Sequence, residues 1–367
     1  MPYEQIDKSQ IRVLPLGERK SFIRFKDVAV SSGDAVVADE KTKGKIELLA
    51  QRILGARARG ASVMLVYGAH LIKNGAGPLL NEIMEKGFVT HLATHGAGII
   101  HDWEFAYQGE TSESVRDNAP VGRFGTWDET GRSINLAALA GAAEGIGLGE
   151  AVGRFIAEDG LTLPSPDFLH GQIRMLPEHT LTAARADLLK AMIDFDLPEG
   201  KMEVKHAYKE YSVAAAAYGC GVPFTVHPGI GYDIYANHPM FHGGAIGRCA
   251  GTDAGIFAAG VMNLSGGVYM SAGSAVMSPQ IFEKAFSAAN NIREQRHQPF
   301  ISGHYIFVND IASDGDWDWS KGEPPKEHPA YYLRFFKSFY RMGGTAVYLR
   351  ADNRIFLKLL VSLLKKS

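Results

Sequence analysis

The sequence predicts an α/β fold: a Rossmann-like, doubly wound sheet, mostly parallel, with helices on both faces. Short apolar runs of strand length recur along it, such as SVMLVY at Ser62–Tyr67 and VPFTV at Val222–Val226, each closed by Gly or Pro. Runs of this kind mark strands buried on both faces, as parallel sheets require. Stretches with helical spacing separate them, and the first strand, helix and second strand close within about 35 residues, which fits a right-handed crossover.

Taken in order, Lys43–Arg59 carries Ile46, Leu49, Ala50, Ile53 and Leu54 on one helical face before Gly60 stops it. The strand Ser62–Tyr67 follows, then a helix Pro78–Lys86 ended by Gly87, and a strand Thr90–Thr94. Helical patterns cover Ser133–Glu158, Leu181–Phe195 and Lys205–Ala217 before the strand Val222–Val226. A helix through Ile256–Met262, a strand Gly267–Met270, a helix Pro279–Arg293 and a strand Tyr305–Val308 come next. The end reads as helix Pro329–Met342, strand Thr345–Leu349 and helix Ile355–Leu364. Ala312–His328, rich in Asp, Trp, Gly and Pro, is expected as a long loop that lines a site. The expected organisation is an N-terminal segment, residues 1–60, whose helix packs on the main domain, and one Rossmann-like domain over 61–367.

Composition narrows the function classes. Of 367 residues 46% are hydrophobic and 21% charged, enough for a large core. The 38 Lys and Arg against 40 Asp and Glu leave a net charge of -2, which supplies no field for nucleic acid or an anionic membrane. A small polar metabolite is the expected partner. Cys220 and Cys249 are the two cysteines, too few for a disulfide framework and without thiolate metal spacing. With no uniformly apolar span and no leader-like start, the expected location is cytoplasmic.

Open parallel sheets bind ligands beyond the carboxyl ends of their strands, so the residues there carry the chemistry. The candidate cofactor contacts are His70, Asn74, Thr94, His95, Gly96, Ala97, Gly266, Gly267, Asp310, Asp314 and Asp352. Neither GxGxxG nor a Walker loop is present, so the glycines read equally as plain turn formers. His70, His95, His101 and His227 fall at or just past strand ends, where they serve either as satisfied polar groups, as acid-base groups with Asp102 or Asp233, or as an alternative metal set. No HExxH motif supports the metal.

The turn THGAGIIHD at Thr94–Asp102, the strand and turn VPFTVHPGIGYD at Val222–Asp233, NLSGGV at Asn263–Val268, FVND at Phe307–Asp310 and AVYLRAD at Ala346–Asp352 follow one another in an order that resembles deoxyhypusine synthase. The resemblance covers roughly residue 60 to the end. It implies NAD as cofactor, a homotetramer, a polyamine substrate, and an aminobutyl transferase that works through a lysine imine. It places the imine-forming lysine at Lys337 and the polyamine-holding aspartate at Asp233. It sets Ser271, Tyr331 and Phe335 at substrate positions, and Asp314 with Gly315 near the cofactor. His101 is the third expected catalytic group, from its place among the strand-end histidines. This chain departs from the family where its paired acidic residues become Ile100 and His101, and where Pro228 replaces an aspartate. A second expectation is an enzyme of another class, or a metabolite-binding protein, using the His-rich site. The aromatic run YYLRFFKSFY at Tyr331–Tyr340 is read as an oligomer contact or a buried helix.

Overall fold

The computed structural model describes residues 3–366. Its core is a six-stranded, all-parallel sheet of β1 (Val63–Tyr67), β2 (His91–His95), β3 (Phe224–His227), β4 (Val268–Ala272), β5 (Tyr305–Asp310) and β6 (Thr345–Arg350). The order across the sheet is β6-β5-β4-β1-β2-β3. The chain thus winds outward from β1 to one edge, returns to the centre at β4, and winds outward to the other. This is the Rossmann strand order, and folds of this order bind ligands in a crevice at the carboxyl ends where the order reverses, here between β1 and β4.

The α-helices of five residues or more are α1 (Glu40–Ala58), α2 (Ala69–Lys73), α3 (Gly77–Glu85), α4 (Gly96–Gln108), α5 (Asp128–Glu144), α6 (Leu148–Ala157), α7 (Pro166–Met175), α8 (Thr182–Asp194), α9 (Val213–Cys220), α10 (Gly243–Met262), α11 (Met277–Gln295), α12 (Arg334–Tyr340) and α13 (Asn353–Lys365). Alternation along each strand splits the core in two. Val63, Leu65 and Tyr67 of β1 pack with Ile46, Leu79 and Leu360 on one face, whereas Met64 and Val66 pack with Phe257, Phe282 and Phe339 on the other. Helices therefore cover both faces, as the sequence predicts. Among the described residues no single helix is long and apolar enough to cross a membrane.

Some expected elements have different bounds. The pattern over 133–158 is two helices, α5 and α6, because Gly145 at φ +83 ends the first and Gly147 opens the second. The helix expected from Lys205 begins at Val213, where the Ser212 side chain accepts the Ala215 N–H. The last long helix begins as a 3-10 turn, Pro329–Tyr332, and becomes α-helical only from Arg334. Two small antiparallel pairs lie outside the sheet: Ile23–Arg24 with Glu110–Thr111, and Gly160–Leu163 with Gly200–Glu203.

Candidate active site

A partly open cavity of about 290 Å³ lies beyond β2 and β3, and its walls are assembled from segments far apart in sequence. One wall is a face of α4: Ala97, Ile100, His101 and Glu104 are spaced three and four apart, so their side chains share one side of the helix. Asp233 and Tyr232, from the loop after β3, form another wall. Lys73, at the end of α2, Arg19, from the N-terminal segment, and Ser112 with Glu113 complete it.

The N-terminal segment is fastened across the domain at several points. Leu14 bridges to Trp127, the Leu16 N–H donates to Glu129 at 2.6 Å, and Arg19 forms a two-pronged ion pair with Glu104 at 2.6 and 2.9 Å. Side chains of that pair are 1% exposed. Burial alone would push the Glu104 carboxyl up, but the Arg19 charge and the hydrogen bonds outweigh it and hold the carboxyl below its ordinary value. Thr130 and Thr111 hydroxyls donate to its two oxygens at 3.0 and 2.6 Å. His101 Nδ1 lies 2.7 Å from the Thr111 oxygen, and burial pushes the imidazole down to about 4.

Asp233 is set by its own loop. One of its oxygens accepts the Gly229 N–H at 2.7 Å and the Tyr235 hydroxyl at 3.0 Å, and burial raises the carboxyl above its ordinary value. The carboxylate occupies the space over Gly96, where any side chain would collide with it, so it stands at the N-terminus of α4. A helix N-terminus favours a negative group, and here the protein supplies its own.

The structure brings some of the expected site residues together and separates others. Asp233, His101 and Ala97 line the cavity, with Gly96 directly under Asp233. His70, Asn74 and His95 lie at the neighbouring carboxyl ends, where His95 Nε2 accepts the Ala69 N–H at 3.4 Å, and Thr94 is buried with its hydroxyl on the Tyr67 carbonyl. Gly266 and Gly267 precede β4 and stand at the amino end of the sheet, opposite the ligand-binding edge. Ser271 is buried within β4, while Asp310 and Asp352 bond the backbone of their own turns at Ala312 and Arg354. Asp314 lies in the long loop after β5 and accepts the Asp316 N–H. His227 is the register partner of His95 on the neighbouring strand, and Thr225 bridges its ring to His91 at 3.2 and 3.0 Å on the sheet face covered by α10. Among the described residues no three His, Cys, Asp or Glu side chains are placed to hold a metal ion.

Lys337, Tyr331 and Phe335 belong to the far side of the molecule. The Lys337 amine lies 3.6 Å from the centre of the Tyr331 ring, and Phe335 packs toward Tyr348 of β6. Asp233 follows β3 and stands over Gly96 at the start of α4, whereas α12 packs on β6 and reaches Tyr269 of β4 through Phe339. Lys337, Tyr331 and Phe335 do not line the cavity that Asp233 lines.

No protein-family model matches the chain. No curated protein matches it. Among solved structures it is similar to a protein from Methanococcus maripaludis S2 described as LOR/SDH, at 15% identity and a TM-score of 0.44, over 97% of this chain and 76% of that one. It is similar to AgrE, solved as a ternary complex with ornithine and NAD+, at 14% identity and a TM-score of 0.44, over 91% of this chain and 34% of AgrE. It is also similar to ArgZ, an arginine dihydrolase from the ornithine-ammonia cycle in Cyanobacteria, at 14% identity and a TM-score of 0.43, over 90% of this chain and 33% of ArgZ. The chain spans about a third of the length of AgrE and ArgZ. These neighbours carry other names than deoxyhypusine synthase, and with no family model matching, the expected membership of that family is corrected. The expected aminobutyl transfer through a lysine imine falls with it, and Lys337 does not line the cavity that holds Asp233.

Proposed function

We propose that this chain is an NAD-dependent enzyme that oxidises a small amine-bearing metabolite, with His101 as the proton acceptor and Asp233 as the anchor for the substrate's ammonium. The observation that carries the reading is the His101 imidazole in a cavity beside the Asp233 carboxylate, one oxygen of which takes no protein donor among the described residues. A buried carboxylate at the wall of a confined space gains most from a cationic partner, because that partner offsets its desolvation. Tyr232 and Phe124 add aromatic surface of the sort that ammonium groups favour.

Bound NAD would supply a hydride acceptor. The carboxyl ends of β1 and β4 would receive it: the small Gly68 and Gly273 turns pack together there, and Asn309 at the end of β5 keeps a buried oxygen with no protein partner among the described residues. The turn after β1, with His70 and Asn74, and the ends of β4 and β5 would hold the dinucleotide. The N-terminus of α4 is taken by Asp233, so phosphates belong at the crevice and the substrate at the cavity. His101 Nε2 would take the proton from the hydroxyl or amine on the substrate carbon that is oxidised.

Because burial places the His101 pKa at about 4, the base is available from there upward, and turnover should stay level through neutral pH and fall only in acid. The test is NAD reduction, followed by its absorbance, with the full chain and a panel of small amines and amino acids. His101→Gln should lower kcat by about 100-fold or more, the usual worth of a positioned base, while Asp233→Asn should raise KM for the amine. Absence of NAD binding in a fluorescence titration overturns the dinucleotide; unchanged kcat in His101→Gln overturns the base.

A further inference from the structure

The same cavity contains a set of hydrogen bonds whose directions can be deduced, and they decide which nitrogen of His101 faces the substrate. Glu104 accepts two bonds from Arg19, one from Thr130 and one from Thr111, at 2.6, 2.9, 3.0 and 2.6 Å. Four donors fill the acceptor capacity of a carboxylate, and beside a guanidinium that carboxylate carries no proton to give. The Thr111 hydroxyl therefore spends its single proton on Glu104. Its oxygen is left as an acceptor, and the atom 2.7 Å away, His101 Nδ1, must be the donor. An imidazole kept neutral by burial has one N–H, so Nε2 is bare. Among the described residues no protein group bonds Nε2, and His101 lines the cavity.

We infer that Thr111, Glu104 and Arg19 are positioning residues that lock His101 in its Nδ1–H form and hold the Nε2 lone pair toward the substrate. The inference rests on the reading of His101 as the base for its catalytic meaning, while the tautomer itself stands on the geometry alone. The three residues come from separate parts of the chain: Thr111 from the small strand paired with Ile23, Glu104 from α4, and Arg19 from the N-terminal segment. The protonation pattern of one ring nitrogen therefore depends on a segment that lies about eighty residues before it in sequence. The remaining carboxylates at the cavity do not compete for Nδ1, and Lys73, the other cation there besides Arg19, has no acceptor to offer it. Asp233 bonds Gly229 and Tyr235, and Glu113 accepts from Asn118, Gly125 and Trp127.

The test is nitrogen NMR of the full chain labelled in histidine, at neutral pH and without substrate or NAD. The His101 resonances of the wild type should show a protonated Nδ1 and a bare Nε2. Thr111→Val removes the acceptor and should bring the Nε2–H form into the mixture, with kcat lowered about tenfold or more and KM for the amine little changed. Thr111→Ser keeps the hydroxyl and should restore both the nitrogen pattern and kcat. A wild-type spectrum with the proton on Nε2 overturns the inference, and so does a folded Thr111→Val with an unchanged tautomer. If the tautomer is as stated but no amine is oxidised, the positioning stands and the proposed reaction falls.

Discussion

Asp253 is a carboxylic acid almost wholly enclosed by protein, and its environment shows how a single side chain couples stability to pH. It projects from α10 and accepts the N–H of Gly149 in α6 at 3.1 Å and that of Val226 in β3 at 2.9 Å. Burial pushes its pKa up to about 7. A raised carboxyl pKa means the folded state keeps the proton longer than the unfolded chain. Its stabilising contribution is therefore complete in acid and is lost as pH rises from about 4 through about 7. Asp253→Asn removes the titration, so relative to wild type it should be more stable at pH 8 than at pH 5, as read from thermal midpoints at the two values. Cavity residues differ in how visible they were. Asp233 and His101 stand just past strand ends, where position alone marks them. Glu104 stands three residues after His101 on one helical face, a spacing that was readable but unread, and nothing local to Arg19 points to the glutamate that receives it.

At the scale of elements, the strands were legible because burial on both faces leaves an apolar run with Gly or Pro at its end. Helix boundaries were less so. Through Gly145, Ile146 and Gly147 the helical spacing continues, and the break between α5 and α6 is fixed by Asp253, more than a hundred residues later in the chain. A side chain at Gly147 would run into the Asp253 carboxylate, so only glycine lets that carboxylate reach the first turn of α6. Gly147→Ala should cost roughly 1–3 kcal/mol by overpacking, measured as a shift in the urea midpoint. Combined with Asp253→Ala, which vacates the space, its additional cost should shrink. Similarly, Lys205 to Ala217 carries an apolar pattern that extends past the true start of α9. Ser212 caps that helix, and Asp102 accepts both the Ser212 hydroxyl and the Val213 N–H from across the domain. Long-range caps of this kind leave no trace in local periodicity.

For the whole molecule, buried histidines set the response to acid. Burial lowers His91 to about 3 and His101, His206, His227 and His304 to about 4. Each is neutral in the fold at a pH where the unfolded chain would bind a proton, so stability falls as pH drops from about 6.5 to about 4. Asp102 at about 6, Asp253 at about 7 and the raised Asp233 act in the opposite direction over part of that range. Burial also lowers His95, so six groups against three leave the histidines dominant, and the urea midpoint should decline from pH 7 to pH 4.5. A midpoint that rises across that interval contradicts this balance. The fold class was legible in the alternation of strands and helices. The place of each strand in the sheet was not, because strand order depends on which crossovers pass over which face, and composition does not record it.

That order has a consequence in time. β1, made early, lies between β2 and β4, and Val63 pairs with Val268 across a chain separation of some two hundred residues. Loop closure of that length is slow, so the half-sheet β1-β2-β3 is expected to wait on the ribosome with one flank of its central strand open. The junction between β1 and β4, where the strand order reverses, is therefore assembled only when that flank is covered.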